Sequence, residues 1–166
     1  LGEQYRSAPG TILYYYDFNA LRPPFDDVRV RQAFAAATDK QAIVDFVTRG
    51  GELVANTITP PGSFGHVPNE DGIGIPYDPE RARALLAEAG YEGGAGLPTI
   101  TLAFNASETH SRIAQAVQQM WQQNLGVTVE LQSVEGATYS QTAADGAYSV
   151  WRMGWGMDYP DANNVH

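Results

Sequence analysis

The 166-residue chain has no cysteine. Disulfides, thiolate zinc sites and a cysteine nucleophile are therefore excluded. Basic residues are scarce: ten Lys and Arg stand against nineteen Asp and Glu, giving a net charge of −9 and a pI near 4.6. The ten are scattered along the chain, which argues against nucleic acid as a partner, because a phosphate backbone needs a concentrated Lys/Arg surface. The acidity is read as a solubility property rather than as tuning to a cationic ligand. No run of about 18 apolar residues occurs, so no spanning helix is expected. The opening LGEQYRSAPG lacks the basic and apolar regions of a signal peptide. The chain stops on DANNVH without a closing element, and it is expected to be a piece of a longer polypeptide.

Familiar catalytic constellations are missing as well. No P-loop and no GxGxxG are present, and Gly93-Gly94-Ala95-Gly96 reads as a flexible turn, since no helix follows it directly. Ser140 and Ser149 lack a GxSxG context. The three histidines, His66, His110 and His166, lie far apart in loop or exposed helix positions with no carboxylate at ligand spacing, so no metal site is expected. The Asp158–Asn164 run holds enough oxygens for calcium but lacks the alternate-ligand spacing and central glycine of an EF-hand, and it reads as turn chemistry. Of the carboxylates, Glu130 and Glu135 flank one strand end, and Asp158 and Asp161 sit three apart. A glycosidase needs two acids facing one bond across a cleft, and spacing along the chain does not establish that.

What is present is an ordinary globular pattern, 43% apolar and 17% charged. TILYYYDF (11–18) reads as a buried or half-buried strand. The Pro pair at 23–24 forbids helix until Asp26 or Asp27 can cap one, whose inward stripe is Val30, Ala33, Phe34 and Ala37. A fresh cap at Thr38-Asp39-Lys40 starts a second helix that turns Ile43, Phe46 and Val47 inward and stops at Gly50-Gly51. Residues 52–77, rich in Pro and Gly, read as a long surface loop of the kind that is functional or wraps another part of the protein. Asp78-Pro79 opens a third helix with Ala82, Leu85, Leu86 and Ala89 inward. Then come a strand at 99–105 and a Ser107-capped helix burying Ile113, Val117, Met120, Trp121 and Leu125. A strand at 127–134, a short helix over ATYSQTAA and a last strand at 147–155 complete the chain. The alternation predicts an α/β or α+β class with a mixed sheet.

The segment Trp151–Tyr159 is the most informative. A strand rich in aromatics loses its side chains at Gly154 and Gly156, which lets another backbone approach closely. Arg152 and Asp158 offer opposite charges on either side. This is equipment for pairing with an extended peptide and anchoring a charged terminus. An aromatic core strand with a glycine bulge accounts for the same residues equally well.

Three ordered segments carry a resemblance. YYYDFNALRPPFDDVRVRQAFAAATDKQAIVDFV, through Asn19, Pro23, Pro24, Phe25, Asp27, Val30, Arg31, Ala33, Asp39, Lys40 and Ile43, resembles the entry into the large ligand-binding lobe of bacterial oligopeptide-binding proteins. YDPERARALLAEAGY (77–91) is similar to a further helix of those proteins, and WRMGWGMDYPDANN to their R-x-G-W-x-x-D-Y-x-[DE]-P loop, with Ala162 where Pro is usual. The family is that of the family 5 extracellular solute-binding proteins of ABC importers. The resemblance implies a two-lobe clamp of the periplasmic-binding-protein type II. Residues 1–166 would form a single domain, an α+β roll with flanking helices, covering most of the second, C-terminal lobe and truncated at its C-terminus.

It further implies a binding protein rather than an enzyme, with no cofactor. Asp158, partly buried, would pair with the ligand's α-ammonium group. Gly154, Trp155, Gly156 and Met157 would line the cleft, and Arg152 would be a cleft-side basic residue. The implied partners are a short peptide or a related small solute and the membrane permease, the full-length protein being a monomer. The implied location is periplasmic or extracellular, with or without a lipid anchor. An isolated lobe holds half the contacts and is expected to bind weakly or not at all. The alternative from another class is a carbohydrate- or peptide-cleaving domain using Asp158 and Glu135.

Overall fold

The computed structural model describes residues 10–68 and 72–164. Four strands form one mixed sheet: β1 (Ile12–Phe18), β2 (Ile100–Asn105), β3 (Val129–Val134) and β4 (Val150–Gly156), in the spatial order β1-β4-β2-β3. β4 runs antiparallel to β1 and parallel to β2, and β2 is parallel to β3. The helices are α1 (Val28–Ala36), α2 (Lys40–Ala42, continuing as a wider π turn over Ile43–Thr48), α3 (Pro79–Glu88), α4 (Glu108–Leu125) and α5 (Gly136–Ala144). The mixed α/β class expected from the sequence is the one found.

Period-two alternation decides which side of the sheet each residue serves. Ile100, Leu102 and Phe104 of β2, Val129 of β3 and Val150 of β4 join the main core with α1, α3 and α4, while Ala103 belongs to a smaller core with Tyr139, Ala143 and Tyr148 beneath α5. Trp121 is the centre of the larger core. It is 1% exposed, its ring lies 4.8 Å from Phe34 edge to face, and its indole N–H donates to the Phe34 carbonyl and to Thr38 Oγ1.

Many residues of the family-like motifs prove to be scaffold. Asn19 is 6% exposed and ties the end of β1 to the turn before β4, Nδ2 donating to the carbonyls of Gly146 and Tyr148. Asp27, Asp39 and Asp78 cap α1, α2 and α3 by accepting from backbone N–H groups. Lys40 clamps the long loop 52–77, donating to Asn56 Oδ1 (2.8 Å) and the Ile75 carbonyl (3.2 Å), and its burial lowers its pKa. At Gly74, φ is +94° and a Cβ would stand 2.4 Å from the Asn56 carbonyl oxygen, so only glycine lets the loop close on itself there.

Three local expectations fail. Phe46 points outward, 79% exposed, because the π turn advances fewer degrees per residue and leaves it outside the Ile43/Val47 stripe. That helix ends at Arg49, itself left-handed at φ 54°, rather than at the following glycines. Ser107 stands at the N-cap of α4, but its side chain makes no capping bond.

Candidate functional site

The register of β4 shows which flank it offers. Asn19 N–H donates to the Ser149 carbonyl and Met157 N–H to the Thr11 carbonyl, both at 3.0 Å, so the odd residues 149–157 turn their backbone polar groups toward β1. Even residues turn theirs the other way. On that side β2 pairs with β4 only opposite Val150 and Trp151. The Arg152 carbonyl is taken by the Tyr139 hydroxyl, whose burial pushes its pKa up to about 12. Gly154 and Gly156 therefore present N–H and C=O to a flank that no strand among the described residues occupies. The pairing with β1 is unbroken from Ile12↔Gly156 to Phe18↔Val150, so no bulge forms.

Arg152 shares a sheet face with Gly154. Its guanidinium lies 4.6 Å from the Tyr14 ring centroid, and Nη1 donates to Asn105 Oδ1 at 3.3 Å. A Cβ built on Gly154 would stand 2.8 Å from Nη2, so the guanidinium fills the space that the missing side chain leaves. Around it gather Tyr16 and the first-turn His110, whose ring centroid is 5.5 Å from that of Tyr14. Tyr14 Oη, Tyr16 Oη, His110 Nδ1 and Arg152 Nε are buried without a hydrogen-bond partner. Burial pushes both tyrosine hydroxyls up, and burial followed by the Arg152 charge pushes His110 down. Among the described residues no carboxylate pairs with Arg152. A buried cation with unused donors can accept an anionic group from outside.

Asp158 stands two residues past the end of β4. It is exposed rather than partly buried, because the loop apex projects beyond the strand, and its carboxylate makes no hydrogen bond or ion pair among the described residues. The loop that carries it is nevertheless well tied. Phe64 N–H donates to the Pro160 carbonyl and Ala162 N–H to the Phe64 carbonyl, both at 2.9 Å. Asn164 Oδ1 accepts from the Trp155 indole N–H at 2.9 Å and from Asp158 N–H at 3.4 Å.

Of the residues singled out from the sequence, Arg152 and Gly154 are in contact, Trp155 is 42% exposed at the strand end, Gly156 is exposed, and half-buried Met157 accepts from Ser63 Oγ through its sulfur. Arg152 and Asp158 form no ion pair. Glu135 is an exposed residue at the start of α5, after β3, and β3 lies two places from β4 in the sheet. His110 was expected to be an exposed helix residue and is instead half-buried in the Arg152 cluster. His66 donates from Nδ1 to the Thr59 carbonyl, and His166 lies outside the described residues. Among the described residues no cluster of His, Asp and Glu fits a metal. Missed altogether were Tyr14, Tyr16 and Asn105. The i, i+2 spacing of the tyrosines puts them on one strand face, which was the available signal.

A free strand edge between an unpaired cation and an unpaired carboxylate, built on a mixed α/β sheet, has the layout of a binding surface. The comparisons with known proteins agree. The family described as bacterial extracellular solute-binding proteins, family 5 Middle, matches residues 2–165, and the chain belongs to it. It is 37% identical over 156 residues to the oligopeptide-binding protein OppA of Bacillus subtilis, covering 92% of this chain and 29% of that protein. It is 39% identical over 154 residues to the periplasmic oligopeptide-binding protein OppA of Escherichia coli, covering 91% and 28%. The solved murein tripeptide binding protein MppA of Escherichia coli superimposes with a TM-score of 0.84 at 36% identity, covering 94% of this chain and 31% of that one. The chain thus spans less than a third of each of these relatives.

Proposed function

We propose that this chain forms most of the second, C-terminal lobe of the solute-binding component of an ABC importer, and that it captures short peptides in a cleft closed by another lobe. One observation carries the reading: the backbone of Gly154 and Gly156 is open on one flank, with Asp158 beyond it and Arg152 folded back to the level of Gly154. An extended peptide added to that flank gains main-chain hydrogen bonds that are indifferent to its side chains. Its ammonium group meets Asp158 and its carboxylate meets the Arg152–His110–Tyr14 cluster, so it runs antiparallel to β4. Gly154 and Asp158 are four residues apart, about 13 Å at strand rise, which suits a peptide of about three or four residues. Trp155 and Met157 flank the same edge.

The role is binding without catalysis. Glu135 and Asp158 share no described cavity, so the hydrolytic alternative has no acid pair to work with. Closure of the lobes buries the ligand, and the closed protein delivers it to a membrane permease. The OppA and MppA relatives named above support this reading and a periplasmic or extracellular site, with the full-length protein a monomer and a lipid anchor left to the parent sequence.

Calorimetry on the full-length gene product tests it. A tripeptide with free ends is expected to bind, and Asp158→Asn is expected to weaken it by about 10- to 150-fold, the worth of a charge-assisted hydrogen bond of roughly 1.5–3 kcal/mol. The N-acetylated tripeptide is expected to bind weakly to both proteins. Equal affinity for the two peptides, or an unchanged affinity in Asp158→Asn, refutes the assignment of Asp158.

A further inference from the structure

We propose that Asn164 is a positioning residue of the ligand site, setting preference for a free peptide amino terminus by holding Trp155 and Asp158 in one arrangement; this rests on the peptide-capture reading above. The residue has no charge to offer a ligand. It lies on the short turn Ala162–Asn164 after the Asp158 loop, and one oxygen serves two donors: the Trp155 indole at 2.9 Å and the Asp158 backbone N–H at 3.4 Å. Trp155 belongs to the rigid sheet, whereas Asp158 belongs to a projecting apex. The shared acceptor fixes the distance between them.

The turn that carries Asn164 is itself held from elsewhere in the fold. Asn164 N–H donates to the Asp161 carbonyl, and the Phe64 backbone grips the loop at Pro160 and Ala162. The grip is tight, since a Cβ on Gly65 would stand 2.8 Å from that of Ala162. Phe64 in turn sits in a compact knot. Ser63, 8% exposed, donates from its backbone to the Pro60 carbonyl, and His66 closes on the Thr59 carbonyl at 2.7 Å. The long loop 52–77, anchored on Lys40, is thus the post against which Asn164 braces the carboxylate. Its wrapping of another part of the protein, expected from its length, is directed at the ligand site.

A positioning oxygen predicts a definite pattern of variants. Asn164→Leu keeps the volume and removes the acceptor; Asn164→Asp keeps an acceptor on both donors. In the full-length gene product, Asn164→Leu is expected to weaken a free-ended tripeptide about tenfold, equivalent to about 1.4 kcal/mol. Binding of the N-acetylated tripeptide is expected to stay within about twofold, so discrimination collapses rather than affinity overall. Asn164→Asp is expected to restore wild-type discrimination or exceed it. Without ligand, Asn164→Leu is also expected to shift the indole emission, and Asn164→Asp to restore it. If Asn164→Leu discriminates like the wild type, weakens both peptides equally, or is not rescued by Asn164→Asp, the assignment is overturned while peptide capture stands. If the wild type binds no peptide, both fall.

Discussion

Gly154→Ala tests the packing at the centre of the site. The backbone at Gly154 is not left-handed, so alanine meets no conformational penalty there, and in a strand it gains roughly 0.5–1 kcal/mol over glycine. Its Cβ would lie 2.8 Å from Arg152 Nη2 and 3.3 Å from the Leu13 carbonyl oxygen. The second contact is relieved by a few tenths of an ångström; the first displaces the guanidinium. Leaving the Tyr14 ring costs about 0.5–1 kcal/mol, and losing the Asn105 bond about 0.5–1.5 kcal/mol. The expected net loss is about 1 kcal/mol, small for an interior strand position. In an Arg152→Met background the displaced group is absent, so the same alanine should be neutral or stabilising. Urea unfolding of the four proteins closes a double-mutant cycle whose expected coupling is about 1 kcal/mol. Additivity within about 0.3 kcal/mol refutes the claim that the guanidinium occupies the Gly154 space. A loss above about 3 kcal/mol for Gly154→Ala alone refutes the claim that it is free to leave.

Asn19→Ala removes a buried side chain that satisfies the Gly146 and Tyr148 carbonyls and accepts from Leu21 N–H. A stability loss of about 1–3 kcal/mol is expected in urea unfolding, with no effect specific to peptides carrying a free amino terminus. His110 is expected to titrate below its ordinary 6.5 by NMR, held down by burial and by Arg152. Below that pH the unfolded chain takes up the proton first, so stability falls as pH drops from about 6.5 through the folded value. Tyr14, Tyr16, Asn105 and Arg152 face the ring, and no acid reverses the effect. A peptide carboxylate at the cluster should raise the His110 value, and a titration unmoved by ligand contradicts the proposed orientation.

The elements were legible where the signal is local. Asp27, Asp39 and Asp78 cap their helices because a short acceptor followed by helix-forming residues suffices, whatever lies around it. The stripes on α1, α3 and α4 follow from 3.6 residues per turn, and each ends up in the main core. Phe46 escaped because a π turn leaves no mark in composition, and His110 because helix periodicity does not say what packs over the first turn.

From the sequence alone came the class, the family and the segment Trp151–Tyr159 as the place of interest. Only the tertiary structure decided how that segment is used. Its open flank exists because β2 pairs with β4 at two positions and then diverges, and because the register with β1 turns the even residues outward. Gly154 was legible as a missing side chain, but that its own strand's Arg152 fills the gap was not. Arg152 and Asp158, six residues apart, read as a pair of opposite charges; the fold points one into a tyrosine-lined cluster and leaves the other at a braced apex. Strand order, parity and bracing depend on neighbours distant in the chain, such as Tyr14, Phe64 and Asn105, and no local pattern encodes which of them will arrive.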